Sequence, residues 1–181
     1  MSRIPPVDRN TTDDGMRRNF DAIQKQLGVV PNMMRTMAQS PSVLEAYVAL
    51  ATALRHGLLS ARLQQHLALV IAEANECDYS LSAHTVLGLG VDLSSDEVVA
   101  SREGRASDRR AEAALQFARA IVERRGDVSD QELARIREAG FSYETIVEII
   151  AHVALNVFAN YFNRAAQTDI DFPRVTADQL V

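Results

Sequence analysis

The start and stop signals of helices run through almost the whole of this 181-residue chain and constrain its fold more than any other feature. Met16, Phe20, Ile23 and Leu27 recur at spacings of 4, 3 and 4 before Gly28, which predicts an amphipathic helix over 13–27. A short helical turn is expected over 32–38. Pro41, following Ser40, opens a helix to about Arg55, with Gly57 as its stop. Ser60 opens the next, whose Leu63, Leu67, Val70, Ile71 and Ala74 form one buried stripe, and residues 78–88 read as helix again. Ser94-Ser95-Asp96-Glu97 and Ser129-Asp130-Gln131-Glu132 both match the capping box, in which serine and glutamate satisfy each other's free backbone donors. Further helices are expected over 108–125, closed by Gly126, from Ser129 to Gly140, and from Ser142 to about Gln167. No period-two run rich in β-branched residues lies beside a hairpin turn. The expected fold is therefore all-α, a bundle of seven or eight helices.

Composition narrows the class further. The length suits one compact domain or two small half-domains sharing a core. The expected division is an extended arm over 1–12, a helical domain over 13–173, and a loose tail over 174–181 that Asp171-Phe172-Pro173 introduces. The net charge of −5 and the lack of a basic run give no phosphate-neutralising surface, so no nucleic-acid partner is expected. Arg109-Arg110 and Arg124-Arg125 are interleaved with acids and read as solvated faces. The N-terminal residues have no apolar signal-peptide core. The strongly apolar runs, such as 67–72, fall short of the ~20 residues that span a bilayer. A single cysteine rules out an internal disulfide framework and fits a reducing, cytoplasmic compartment.

A faint internal repeat accompanies the helices. Ile71-Ala72-Glu73, followed by Cys77, Ser80 and His84, lines up without gaps on Ile150-Ala151-His152, followed by Asn156, Ala159 and Asn163. The first copy carries reactive side chains and the second carries unreactive ones.

That first copy holds the one dense reactive cluster, from Glu73 to His84. On one continuous helix, Glu73, Cys77, Ser80 and His84 are spaced 4, 3 and 4, so at about 100° per residue they share a face. Alternatively, Asn75 to Asp78 end one helix and cap the next, which puts Cys77 at a helix N-terminus, where free N–H groups favour a thiolate. Either arrangement suits thiol chemistry, which needs an ionisable sulfur, a proton acceptor and a donor to hold the anion. The plainer alternative is a small buried cysteine beside a core histidine.

The remaining histidines read as structural. His56 is placed as a cation at a helix end, and His66 on the polar side of its helix. His152 belongs to a stripe with Glu148, Asn156, Asn160, Asn163 and Gln167, whose amides indicate a half-buried seam at a helix or subunit interface. Met33, Met34 and Met37 are expected to pack near the arm. No HExxH, paired CxxC, glycine-rich phosphate loop or GxSxG elbow occurs, so no metal site and no cofactor are expected.

From Ala72 to His84 the sequence resembles the carboxymuconolactone decarboxylase superfamily, in its alkylhydroperoxidase D-like, peroxidase-related branch. The likeness extends from about residue 15 to 173. It includes the stretch from Val30-Pro31-Asn32 to Ala46, the approach Gly57-Leu58-Leu59-Ser60, the run 156–163, and Ile170-Asp171-Phe172-Pro173. The resemblance implies an all-helical fold with a duplicated core and a homo-oligomer, commonly a trimer or hexamer. It also implies thiol-dependent reduction of a hydroperoxide substrate by a thiol reductant. Redox-active relatives carry Cys-x-x-Cys-x-x-x-His with a relay glutamate. Here Cys77 matches the first cysteine and His84 the histidine, but Ser80 stands at the second cysteine.

The usual relay position, twelve before the first cysteine, is Gln65, which leaves Glu73 as the nearer carboxylate. The expected catalytic set is thus Cys77 as redox thiol, Ser80 as its hydroxyl partner, His84 as proton relay and Glu73 as the group that orients or charges it. With one thiol, no internal disulfide can close. Ser80 is then an introduced replacement for cysteine, or an external thiol resolves Cys77, or the redox role is lost. A cofactor-free lyase using His84 and Glu73 as acid and base, and an oligomeric small-ligand binder, remain as alternatives.

Overall fold

A computed structural model describes residues 2–178. The end of the expected tail, 179–181, lies outside the described residues. Among the described residues there are nine α-helices and no strand: α1 (Asp14–Leu27), α2 (Asn32–Met37), α3 (Pro41–Arg55), α4 (Ala61–Ala74), α5 (Asp78–Leu89), α6 (Ser95–Arg102), α7 (Arg109–Glu123), α8 (Asp130–Glu138) and α9 (Tyr143–Ala166). The short turn expected over 32–38 is the helix α2, which brings the number to nine.

The local signals act as read. Ser94 and Ser129 each form a complete capping box, and Ser60 and Ser142 accept from Leu63 and Thr145. Gly28 ends α1 at φ 78°, where a side chain would be strained. Gly57 is needed for a different reason. An added Cβ there would lie 2.6 Å from the Glu148 carboxylate, which accepts from the Leu58 amide at 2.7 Å. The closed backbone approach lets α9 hold the turn before α4.

Helix α4 is the centre of the bundle and packs against α5, α6, α7 and α9. Its Leu67, Leu69, Val70 and Ile71 are all within 1% of full burial, so it has almost no solvent side. A Leu67→Ala cavity would cost about 3 kcal/mol. One apolar cluster joins α4 to α7 and α9 through Leu115, Phe141 and Ile149. A second joins α1, α2, α5 and the end of α9 through Phe20, Met37 and Tyr79, and contains Cys77. Met33, Met34 and Met37 are buried there.

The first and last described segments are both fastened to the helices. The Arg3 and Val7 amides donate to Ala166 and Arg35 carbonyls. Residues 171–178, which begin the expected loose tail and make up its first part, form a strap. Val175 N donates to Ser82 Oγ at 2.9 Å, Ala177 N to Asp78 Oδ1 at 3.1 Å, and Arg102 Nη2 to the Thr176 carbonyl at 2.9 Å. Helix α9 has the length and mean hydropathy, 1.4, of a bilayer-spanning segment. One of its faces nevertheless buries His152, Asn156, Asn160 and Asn163 against the rest of the bundle, as a core helix does.

Candidate active site

The reactive cluster straddles a helix break. Helix α4 ends at Ala74, Glu76 takes a left-handed φ of 50°, and Cys77 is the N-cap of α5. Side chains from α9 pin this break. Asn75 Nδ2 donates to Ile71 O at 2.9 Å and to Asn160 Oδ1 at 3.0 Å, while Arg164 Nη1 donates to the Asn75 carbonyl. Of the two arrangements that the spacing allows, the structure contains the second.

Cys77 is 1% exposed, and its Sγ donates to Ser80 Oγ at 3.3 Å. Burial pushes the thiol above its ordinary pKa. The Ser80 hydroxyl and amide and the Arg164 guanidinium pull the other way, but more weakly. The helix start therefore does not hold a resting thiolate: desolvation outweighs the donors.

His84 lies on α5 one turn beyond Ser80. Its Nδ1 is 2.9 Å from Gln65 Oε1, so with the amide as placed Nδ1 carries the proton and Nε2 keeps its lone pair. Desolvation lowers its pKa to about 4, leaving a neutral imidazole at pH 7. Glu73 is engaged elsewhere. Its Oε2 accepts from Arg102 Nε at 2.7 Å, and that guanidinium is 3% exposed. The structure thus joins Cys77 to Ser80 and His84 to Gln65, and pairs Glu73 with a different helix.

Cys77 lines a cavity of about 550 Å³ whose walls include Tyr79, Asn163, Arg164, Thr168 and Phe172. The strap closes one side of it. Asp171 accepts from Tyr79 Oη and from the Asn32 amide, each at 2.8 Å, and the Tyr79 and Phe172 rings meet edge to face at 5.8 Å. Asp171 in this way caps α2, whose own N-cap, Pro31, offers no side-chain acceptor. Spacing gave no hint of Asp171 or Arg102, because both reach the site through tertiary packing.

His66 requires a correction. It is buried rather than on a polar face, with Nδ1 2.6 Å from Ser101 Oγ, because α6 covers that side of α4. Among the described residues, no group of three or more His, Cys, Asp or Glu side chains is arranged to hold a metal ion.

A single buried thiol thus lies at a helix start beside a cavity in an all-helical bundle. Residues 41–124 match the carboxymuconolactone decarboxylase family. The fold is similar to the alkylhydroperoxidase AhpD core of a peroxidase-related protein from Ralstonia eutropha JMP134. That likeness has a TM-score of 0.84 and 24% identity over 94% of this chain and 92% of that one. It is also similar to a cysteine-to-alanine form of the debrominase Bmp8 in complex with 2,3,4-tribromopyrrole (TM-score 0.80, 23% identity, 93% of this chain and 91% of that one). A peroxidase-related protein from Silicibacter sp. TM1040 gives a TM-score of 0.77 at 20% identity, over 98% and 96% of the two chains. No curated protein matches in sequence. Residues 41–124 thus carry the likeness to that family, and the chain as a whole has the AhpD-like fold.

Proposed function

We propose that the protein is a one-cysteine, thiol-dependent hydroperoxide reductase working in a reducing cytoplasm. The observation that carries this reading is the Cys77 sulfur at a helix start, hydrogen-bonded to Ser80 and bordering a cavity of about 550 Å³. Cys77 attacks the terminal oxygen of the hydroperoxide. The S–O bond forms as the O–O bond breaks, giving a sulfenic acid, and the thiol proton ends on the departing alcohol. An external thiol condenses with the sulfenic acid, releasing water and leaving a mixed disulfide, and a second thiol restores Cys77. Ser80 Oγ, the acceptor of the S–H bond, is the first station for the proton. Because the resting thiol is protonated, turnover rises with pH through and beyond neutrality.

The test is consumption of cumene hydroperoxide with dithiothreitol, compared with Cys77→Ala. The wild type is expected to turn over and the variant to fall to the uncatalysed rate. Equal rates would overturn the reading. Ser80→Cys adds a second thiol and is expected to form a disulfide with Cys77 under peroxide.

A second reading is favoured by the Tyr79–Phe172 aromatic wall: thiol-driven removal of bromine from a small ring, of the kind the Bmp8 likeness suggests. Cys77 takes bromine from carbon, carbon takes the proton, and external thiol releases bromide as it forms a mixed disulfide. Bromide release from 2,3,4-tribromopyrrole distinguishes this reading. The lyase alternative lacks its paired carboxylate, since Glu73 is bound to Arg102 rather than to His84.

The homo-oligomer, a trimer or hexamer, is proposed to form through α9. Tyr143, Val147, Ile150, Phe158 and Tyr161 are 43–65% exposed and form an uncharged stripe that a second copy can match by symmetry. Light scattering is expected to show an assembly that Val147→Lys dissociates.

A further inference from the structure

Two residues that line the cavity beside Cys77 carry covered oxygens with no hydrogen-bond partner in the protein. Asn163 is 3% exposed and Thr168 7% exposed, both line this cavity, and neither Asn163 Oδ1 nor Thr168 Oγ1 is hydrogen-bonded. The Asn163 amide cannot turn freely to find a partner, because its Nδ2 donates to Met33 Sδ at 3.1 Å. Buried polar atoms are nearly always paired, so two unpaired oxygens flanking a reactive sulfur mark places where a ligand supplies the partner.

The chemistry of that ligand follows from the walls. Asn163 Oδ1 only accepts, so it calls for an O–H or N–H donor, whereas Thr168 Oγ can donate to a ligand oxygen. Ile170, Phe172 and Tyr79 supply apolar surface for a compact body. Glu76, Asp78 and Asp169 offset Arg164 and Arg174 around the same cavity, so no strong field selects an anion.

We infer that Asn163 and Thr168 are the recognition floor of the Cys77 cavity. They select an uncharged substrate that presents a hydroxyl-type donor next to a small apolar body. The inference rests on the proposed function only in taking this cavity as the substrate site. For a hydroperoxide, Asn163 accepts from the terminal O–H while Thr168 donates to the inner oxygen, which steadies that oxygen as the O–O bond opens. Thr168, Ile170 and Phe172 belong to one segment, so a ligand reaches the covered floor as that segment shifts outward.

The test uses 2-phenyl-2-propanol, the alcohol product of cumene hydroperoxide, and its methyl ether, which keeps the apolar body and lacks the donor. Binding to the full chain is followed by ligand-observed NMR. Wild type is expected to prefer the alcohol about tenfold, the worth of one buried hydrogen bond. Asn163→Leu is expected to abolish the preference, and Thr168→Val to weaken both ligands while retaining it. Thr168→Val also removes an unpaired hydroxyl, so its melting temperature is expected to equal or exceed that of wild type, which keeps the test informative if Asn163→Leu folds poorly.

Equal binding of alcohol and ether, no binding of either, or a preference that survives Asn163→Leu would each overturn the inference. Cys77→Ala should bind like wild type. A wild type that discriminates between the ligands yet shows no Cys77-dependent turnover refutes the reductase reading and leaves the recognition floor standing.

Discussion

The two blocks 71–84 and 150–163 begin with the same Ile-Ala pair and have different fates. The first breaks at Asn75-Glu76 and restarts with Cys77 as a cap, whereas the second continues unbroken inside the 24-residue α9. At the position aligned with Cys77, Asn156 bonds back to the His152 carbonyl at 2.8 Å and stays within its own helix. A broken helix creates a start, with free amides and a side chain aimed away from the regular ladder. An unbroken one offers only faces for packing. The straight helix nonetheless serves the broken block: Asn160 pairs with Asn75, Arg164 holds the Asn75 carbonyl, and Asn163 lines the cavity.

The comparison is most sharply tested by making the first block resemble the second. Cys77→Asn installs the aligned residue, which is also a good N-cap. Hydroperoxide turnover is expected to vanish while circular dichroism and the melting transition show an intact bundle. Residual turnover would move the chemistry away from the break.

Next in size is acid sensitivity, which the two blocks share. His84 and His152 are both held neutral by burial, His84 with a pKa lowered to about 4. Unfolded histidines bind a proton near pH 6.5, so below that pH the unfolded state takes up more protons than the native one. Stability is complete above 6.5 and declines as pH falls toward 4, by about 3 kcal/mol for His84. Urea midpoints at pH 7.5 and 4.5 measure the decline. His84→Gln is expected to reduce it, His66 and His152 supplying the rest, and an unchanged decline would show that His84 titrates normally.

The smallest effect concerns the break itself. Glu76 occupies a left-handed conformation that glycine adopts without strain, and its exposed contact with Arg164 contributes little. Glu76→Gly is expected to stabilise the protein by about 1 kcal/mol in chemical denaturation, with no change at Cys77. Destabilisation would mean that the Glu76 side chain holds the break.

Much of the fold could be read because its signals are short-range. Ser94 with Glu97 and Ser129 with Glu132 act over three residues, so they work as soon as the helix forms. Of the site, Cys77, Ser80 and His84 fall on one short segment and their proximity could be anticipated. Glu73 belongs to the same segment, but its partner Arg102 arrives on another helix, and no local spacing announces a pairing across 29 positions. Gln65 was visible at the relay position, yet only the packing of α4 on α5 shows that it orients His84. His66 was misplaced because the covering surface belongs to α6.

By itself the sequence determined the helices, their ends and the one thiol available for chemistry, since these follow from capping, periodicity and composition. Tertiary structure alone decided that this thiol is buried and protonated, that an amide rather than a carboxylate orients the histidine, and that the C-terminal strap closes the cavity. Desolvation and pairing depend on what comes to lie alongside a residue, and that is set only when distant segments pack.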